Sequence, residues 1–213
     1  MNSPPEAQEN VLGNFEDKYA SQNPIARALV RGFLDAVTEL LLQAKPEGKR
    51  ILEVGCGEGK LATQLLHAIP MPARYLATDL SLDRLRDNHA LDPRVESMEA
   101  SIYELPFADD SFDIVVCCEV LEHVEDPVAG LAELARVSNS KDGGKVLLST
   151  PWEPVWRAMN MARGKYLRQL GNTPGHIQHF TRRQLESLAR RSLDILAVRK
   201  PLPWTVILGE PRR

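Results

Sequence analysis

No stretch of this 213-residue chain approaches the roughly 18 consecutive apolar residues of a membrane-spanning helix, so none of its segments is expected to cross a bilayer. Charge of one sign is not in excess either. The 26 Lys and Arg stand against 29 Asp and Glu, a formal net charge of -3. That balance favours no polyanion, and nucleic acid is not an expected partner. Cysteine is scarce. Cys56 stands alone, while Cys117 and Cys118 are adjacent, in a spacing that fits no common zinc pattern. Neighbours on a strand point to opposite faces, and an odd number of thiols fits a reducing cytoplasm. The chain holds no repeat and no low-complexity tract. Its polar, proline-containing start, "MNSPPEAQEN", reads as neither a signal peptide nor a transit peptide. Residues 1–12 are expected to form a disordered lead.

What is present suits one domain with a full core, or one domain with a small addition: 43% of the residues are apolar. Ile25, Leu29, Phe33, Leu34, Val37, Leu40 and Leu41 fall at helical spacing within 15–43, which predicts a leading helix ended by "KPEGK". Strands and helices then alternate. "RILEV", "RYLATD", "RVESMEA", "FDIVVCC" and "GGKVLLST" read as strands, with helices at "GKLATQLLHAI", "SLDRLRDNHA" and "PVAGLAELARVS" between them. In the last of these Asp126 is placed as N-cap and Pro127 as the first helical residue. "TRRQLESLARR" is helical, and "DILAVRK" and "WTVILGE" complete seven strands. Such alternation implies a doubly wound α/β fold with a mainly parallel sheet and helices on both faces. Ligands in such sheets sit beyond the carboxyl ends of the strands, where strand order reverses. The expected organisation is a helical cap over 13–45 and an α/β domain over 46–213. The domain is interrupted at 151–180 by a segment too long and too apolar for a plain linker.

The chemistry is read from the first strand-to-helix turn, "ILEVGCGEGKLA". Gly55, Gly57 and Gly59 give GxGxG where a dinucleotide fingerprint has GxGxxG. Glu53 and Glu58 put two carboxylates beside the turn, which would repel a pyrophosphate and suit a cation such as S-adenosylmethionine. Asp79, at the end of the second strand, can accept hydrogen bonds from both hydroxyls of a ribose. NAD sites use the same device, so Asp79 alone does not choose between cofactors. A purely structural glycine turn is the alternative.

Together "LEVGCGEG", "ATDLS", "ASIYELPFADDSFDIVVCCEVLEHVEDP" and "GGKVLLSTP" resemble the class I S-adenosylmethionine-dependent methyltransferases, in the small-molecule branch that includes ubiquinone-biosynthesis enzymes. The resemblance covers roughly residues 50–150 and is specific for cofactor and reaction, not for substrate. It implies a Rossmann-like sheet with its last strand antiparallel, S-adenosylmethionine as methyl donor, and S-adenosylhomocysteine as product. It also implies that Glu53 and the turn at Gly55, Cys56, Gly57 and Gly59 hold the methionine moiety. Asp79 would hold the ribose, and Leu80 would pack on the adenine. Ser101 stands where an acid often receives the adenine amino group, so that contact falls to it, to Ile102 or to backbone. Cys118 and Glu119 would line the methyl-donor end. The stretch "NFEDKYASQNPIARALV" resembles helices that close over the cofactor, with Tyr19 either reaching it or only packing on the domain.

Methyl transfer from an activated donor needs chiefly alignment, and needs a base only if the nucleophile arrives protonated. Of five histidines, His67 and His89 are expected in solvent. His123, in "LEHVED", is either the base or architectural. His176 and His179, in "GHIQHF", position substrate, remove a proton, or pack. A metal between the last two is not expected, because no third ligand accompanies them in a recognisable pattern. The place after the fourth strand reads "CEVL" and lacks the proline-rich tetrapeptide of amide and exocyclic-amine methylation. The segment 151–183 holds Arg157, Arg163, Lys165, Arg168, Arg182 and Arg183 against one acid, Glu153. It reads either as a solvated helix face or as an apolar pocket with a cationic rim, lined by Trp152, Trp156 and Tyr166. Such a rim suits an acidic or lipid-linked acceptor and at most peripheral membrane contact. The expected activity is transfer to a small or lipid-linked acceptor, most often at oxygen, by a monomer or homodimer. A cofactor-binding module that works through a partner is the second reading, and a nicotinamide oxidoreductase the third.

Overall fold

The computed structural model describes residues 22–164 and 166–212, the side chain of Arg84 excepted. The leading helix, α1 (Pro24–Gln43), starts where Asn23 Oδ1 accepts the Ile25 amide at 2.9 Å and Pro24 takes the first helical place. The expected residues 15–21 of that helix lie outside the described residues. Then come β1 (Arg50–Val54), α2 (Lys60–Ala68), β2 (Arg74–Asp79), α3 (Asp83–Arg86), β3 (Val95–Glu99), β4 (Ile114–Cys118), α4 (Pro127–Val137) and β5 (Lys145–Pro151). The chain ends with α5 (Glu153–Ala162), α6 (Arg182–Ala189), β6 (Leu193–Arg199) and β7 (Trp204–Pro211).

The seven strands form one sheet in the order β3-β2-β1-β4-β5-β7-β6. The pairs β1 with β2, β1 with β4, β2 with β3 and β4 with β5 are parallel, and β7 runs antiparallel to both β5 and β6. The doubly wound, mainly parallel sheet is therefore what the sequence pattern led one to expect, and its reversed last strand is what the family resemblance implied. Alternate residues of each central strand feed two separate cores. Ile51, Tyr75, Ile114, Val116 and Leu147 pack with Phe33, Val37 and Leu40 of α1 and Leu61 and Leu65 of α2. Leu52, Val115, Cys117, Val146 and Leu148 pack on the other face with Leu131 and Leu134 of α4 and Leu185 of α6. Burial on both faces explains why these strands read as continuous apolar runs.

Helix α4 starts as expected, with Asp126 Oδ1 accepting the Val128 and Ala129 amides, both at 3.0 Å. Helix α6 opens on a capping box between Thr181 and Gln184. Helix α3 is shorter than the pattern in "SLDRLRDNHA" suggests. Asn88 diverts the chain: its Oδ1 accepts the Ala90 amide at 3.0 Å and its Nδ2 donates to the Glu58 carbonyl at 2.7 Å. The segment after α3 is drawn under the glycine turn, where Leu91 and Leu85 fill the space that a Cβ on Gly59 would need.

Sequence order reverses between β1 and β4, which opens a crevice at their carboxyl ends. Gly55 sets its width. Its φ is +77°, and a Cβ there would stand 2.3 Å from Cγ2 of Val120, just past β4. Gly55→Ala is expected to lower stability by about 2–4 kcal/mol from left-handed strain and overpacking together. Urea unfolding would measure the loss, and adding Val120→Ala should recover the steric part.

Candidate functional site

The loops at the carboxyl edge bring the cofactor candidates together. Gly55, Gly57 and Gly59 all have positive φ, between +53° and +77°, so the turn presents backbone rather than side chains. Asp79 ends β2 beside it, and its Oδ2 accepts the Gly57 amide at 2.8 Å. The acid and the turn therefore form one unit, joined across the β1–β2 pair. Asp79 is half-buried, and Leu80, next to it, is 57% exposed.

Glu53 lies beneath the turn, 2% exposed, with Oε2 accepting the Tyr75 hydroxyl at 2.6 Å. Burial pushes its pKa up from 4.5 to about 7, opposed by that hydrogen bond and reinforced by the charge of Asp79. Cys56 points into a small cluster with Ala77, Leu82 and Leu85. Burial, then Glu53 and Asp79, raise its thiol well above the ordinary range, so Cys56 is inert packing. Glu58 pairs with Lys60 at the rim. Ser101 Oγ accepts the Tyr103 amide at 3.2 Å, and Ile102 is buried against Gly130 of α4. Cys118 is buried at the end of β4. Tyr19 lies outside the described residues.

Glu119, just past β4, holds a φ of +61°, a conformation that costs a non-glycine residue about 1–3 kcal/mol. Two side chains fix it: Ser149 Oγ donates to Oε1 at 3.0 Å and Trp204 Nε1 to Oε2 at 2.6 Å. Trp204 was not anticipated. It starts a row of rings that crosses the edge: Phe33 to Trp204 at 5.0 Å, Trp204 to Trp156 at 5.7 Å, Trp156 to His176 at 6.3 Å, and His176 to His123 at 4.9 Å. Trp156 donates to Thr173 Oγ1 at 2.8 Å and so anchors α5 rather than standing in open solvent. Trp152 turns away toward α6, with the Arg182 guanidinium 3.8 Å above its ring. Tyr166 is half-buried at a positive φ of +53°. Of the proposed lining aromatics, Trp156 thus joins the ring row and Trp152 lies under Arg182.

Two of the three histidine candidates do converge. His123 Nδ1 lies 2.8 Å from the Gly175 carbonyl, which can only accept, so Nδ1 carries the proton and Nε2 is the basic nitrogen of the neutral ring. His176, fully inside, has Nδ1 at 2.8 Å from Glu153 Oε1, a carboxylate buried to 3% exposure. His179 is exposed, with no hydrogen bond to either among the described residues. The sequence showed no third ligand beside His176, yet the fold supplies two. Ligating atoms of Glu122, His123 and His176 all lie within 4.8 Å of one another, a set that could hold a divalent cation. Imidazoles oriented through Nδ1 by a carbonyl and a carboxylate are the usual support for coordination through Nε2. A cleft of about 620 Å³ lined by Lys141, Asp194, Glu210 and Arg212 opens at the opposite edge of the sheet. Its charges are paired, Arg212 with Asp194 at 2.7 Å within the cleft, and Glu210 with Lys145 at 2.8 Å and Lys141 with Asp110 at 3.0 Å beside it, and it takes no part in this site.

Comparison with known proteins agrees with this geometry. Residues 26–192 match a family model described as a methyltransferase domain. A ubiquinone biosynthesis O-methyltransferase of Xanthomonas euvesicatoria is 40% identical over 132 residues, covering 58% of this chain and 52% of the relative. The chain thus spans about half the length of the curated relatives it matches. Among solved structures, the N-methyltransferase NodS of Bradyrhizobium japonicum bound to S-adenosylhomocysteine superposes with a TM-score of 0.66 at 14% identity, covering 95% of each chain. Magnesium protoporphyrin IX methyltransferase of Synechocystis, also with S-adenosylhomocysteine, gives 0.63 at 16% identity, covering 92% of this chain and 91% of that one. At such identities the two structures share the fold.

The raised pKa of Glu53 makes a testable demand. The folded chain holds that proton more tightly than the unfolded one, so this group costs stability as pH rises from 4.5 to about 7. A cationic ligand favours the ionised form instead. Binding of S-adenosylmethionine, followed by calorimetry, should tighten about tenfold from pH 5.5 to 7. Glu53→Gln should flatten that dependence.

Proposed function

This chain belongs to the methyltransferase family whose domain model its residues 26–192 match, and on that premise we propose that it moves the methyl group of S-adenosylmethionine to a small-molecule or lipid-linked acceptor, at oxygen. The observation that supports this best is the joining of Asp79 to the bare turn through the Gly57 amide, with Glu53 beneath. That set suits a ligand with ribose hydroxyls at one end and positive charge at the other. The names of the relatives, ubiquinone biosynthesis O-methyltransferases, support oxygen as the methylated atom.

S-adenosylmethionine supplies, when bound, a methyl group already activated on a sulfonium. The chain's task is then orientation, exclusion of water and removal of one proton. Glu53 and the backbone of Gly55, Gly57 and Gly59 hold the amino-acid end, Asp79 receives the ribose hydroxyls, and Leu80 and the backbone at Ser101 and Ile102 flank the adenine. Cys118 and Glu119 border the donor end. His123 accepts the proton of the acceptor hydroxyl at Nε2, while the Glu153–His176 pair, 4.9 Å ring to ring from it, keeps its orientation. Trp156, and Tyr166 with it, bound the acceptor space. The protein works in the cytoplasm, in keeping with three buried cysteines that form no disulfide, as a monomer or homodimer.

A second reading has a specific observation behind it. A divalent cation held by Glu122, His123 and His176 would lower the pKa of the acceptor hydroxyl and do the work of the base. Turnover abolished by chelation and restored by added Mg²⁺ or Zn²⁺ selects this reading. Turnover indifferent to chelation selects the histidine alone.

Incubation with methyl-labelled donor and a membrane-containing extract should give a labelled methoxy product that partitions into organic solvent. His123→Ala should lower kcat by about a hundredfold or more while affinity for S-adenosylhomocysteine stays at the wild-type value. Cofactor binding without any labelled product would overturn the proposal in favour of a binding module.

A further inference from the structure

The peptide that follows β4 is held in place from β7, which lies beyond β5 in the sheet. Glu119 leaves β4 at a φ of +61°, a conformation that any Cβ strains. The strain is countered through the side chain. Ser149 Oγ, on β5, donates to Oε1 at 3.0 Å, and Trp204 Nε1, on β7, donates to Oε2 at 2.6 Å. An N–H given to a carboxylate is charge-assisted, the stronger kind of hydrogen bond. The Glu119 amide donates to the Ser149 carbonyl at 3.1 Å, so the residue is clamped at its backbone and at both carboxylate oxygens.

What this conformation accomplishes lies one residue on. Val120 Cγ2 stands 2.3 Å from where a Cβ on Gly55 would be. The direction in which the chain leaves Glu119 therefore decides whether Val120 stays against the first glycine of the turn. Relaxation of Glu119 to a negative φ would swing Val120 away and loosen the wall behind Gly55. Trp204 is fixed in its turn. It is 2% exposed, its ring packed with Phe33 of α1 at 5.0 Å and with Trp156 of α5 at 5.7 Å. An indole so enclosed keeps one rotamer, and its N–H keeps one direction.

We propose that Trp204 is a positioning residue for binding of the methyl donor: through Glu119 it keeps Val120 on Gly55, and so holds the turn in the form that receives the amino-acid end of S-adenosylmethionine. Trp204 itself acts at a distance and touches no ligand. The proposal rests on the reading of this edge as an S-adenosylmethionine site, and goes beyond it by assigning donor affinity to a residue on the far side of β5.

The test is calorimetric titration of the full chain with S-adenosylhomocysteine, with urea unfolding beside it. Trp204→Phe keeps a ring in the core and removes the N–H. It should bind about tenfold more weakly, from loss of one charge-assisted hydrogen bond, and still unfold cooperatively. Glycine takes a positive φ without strain, so Glu119→Gly should bind about tenfold more tightly than Glu119→Ala, although both lack the carboxylate. That pair leaves the indole in place and decides the backbone role even where the core does not accept Phe. Adding Trp204→Phe to Glu119→Gly should cost no further affinity, because the indole has nothing left to hold. A packing role alone predicts the same loss in both backgrounds. Wild-type affinity in Trp204→Phe, equal affinity of the glycine and alanine variants, or an additive loss in the double variant would overturn the proposal. A wild type that binds no S-adenosylhomocysteine would instead overturn the reading of the site itself.

Discussion

The close approach of Gly55 to Val120 is the contact from which the rest of the active edge follows. It exists because one residue lacks a Cβ: any side chain at 55 would stand within 2.3 Å of Val120. With it, the ends of β1 and β4 converge at the place where strand order reverses. The glycine turn then faces Asp79 across β2, and the Gly57 amide is given to that carboxylate at 2.8 Å. Beneath them Glu53 stays buried on Tyr75, its proton held up to about pH 7 until a positive charge arrives. The arrangement of turn and carboxylates is thus a consequence of backbone proximity.

A second set of contacts ties the roof of the site to its floor. Trp204, at the first residue of β7, touches Phe33 of α1, Trp156 of α5 and, through Nε1, the strained Glu119 after β4. From Trp156 the ring row reaches His176 and then His123. Packed rings transmit displacement because interiors are dense and have few alternative arrangements. Movement of α5 would therefore be felt at Glu119, through Trp204, and at His123, through His176.

The joining of the glycine turn to Asp79 was legible in the sequence because its signals are local. Strand, glycine turn and helix follow one another within "ILEVGCGEGKLA", and Asp79 falls at the end of the next strand. The caps at Asp126 and Thr181 are equally local. Where a local signal misled, a side chain had found a distant partner: Asn88 leaves helical conformation to reach the Glu58 carbonyl. The contacts of His123, His176 and Glu119 were hardly legible, since they are long-range pairs. His123 meets Gly175, Glu153 meets His176, and Trp204 meets Glu119 across separations that no spacing rule encodes. His176 and His179 look alike in "GHIQHF", yet one is buried on a carboxylate and the other is exposed. Glu122 and Glu153 passed unremarked as site residues because an isolated acid has no pattern to betray it.

The central claim is that the unit formed by Asp79 and the turn is a binding site for a ribose-bearing sulfonium compound. Calorimetric titration with S-adenosylhomocysteine, comparing wild type with Asp79→Ala, tests it most directly. Loss of two charge-assisted hydrogen bonds, each worth about 1.5–3 kcal/mol, predicts an affinity lower by about a hundredfold or more in a variant that still unfolds cooperatively. Equal affinity in the two proteins, or no binding in either, would contradict the account.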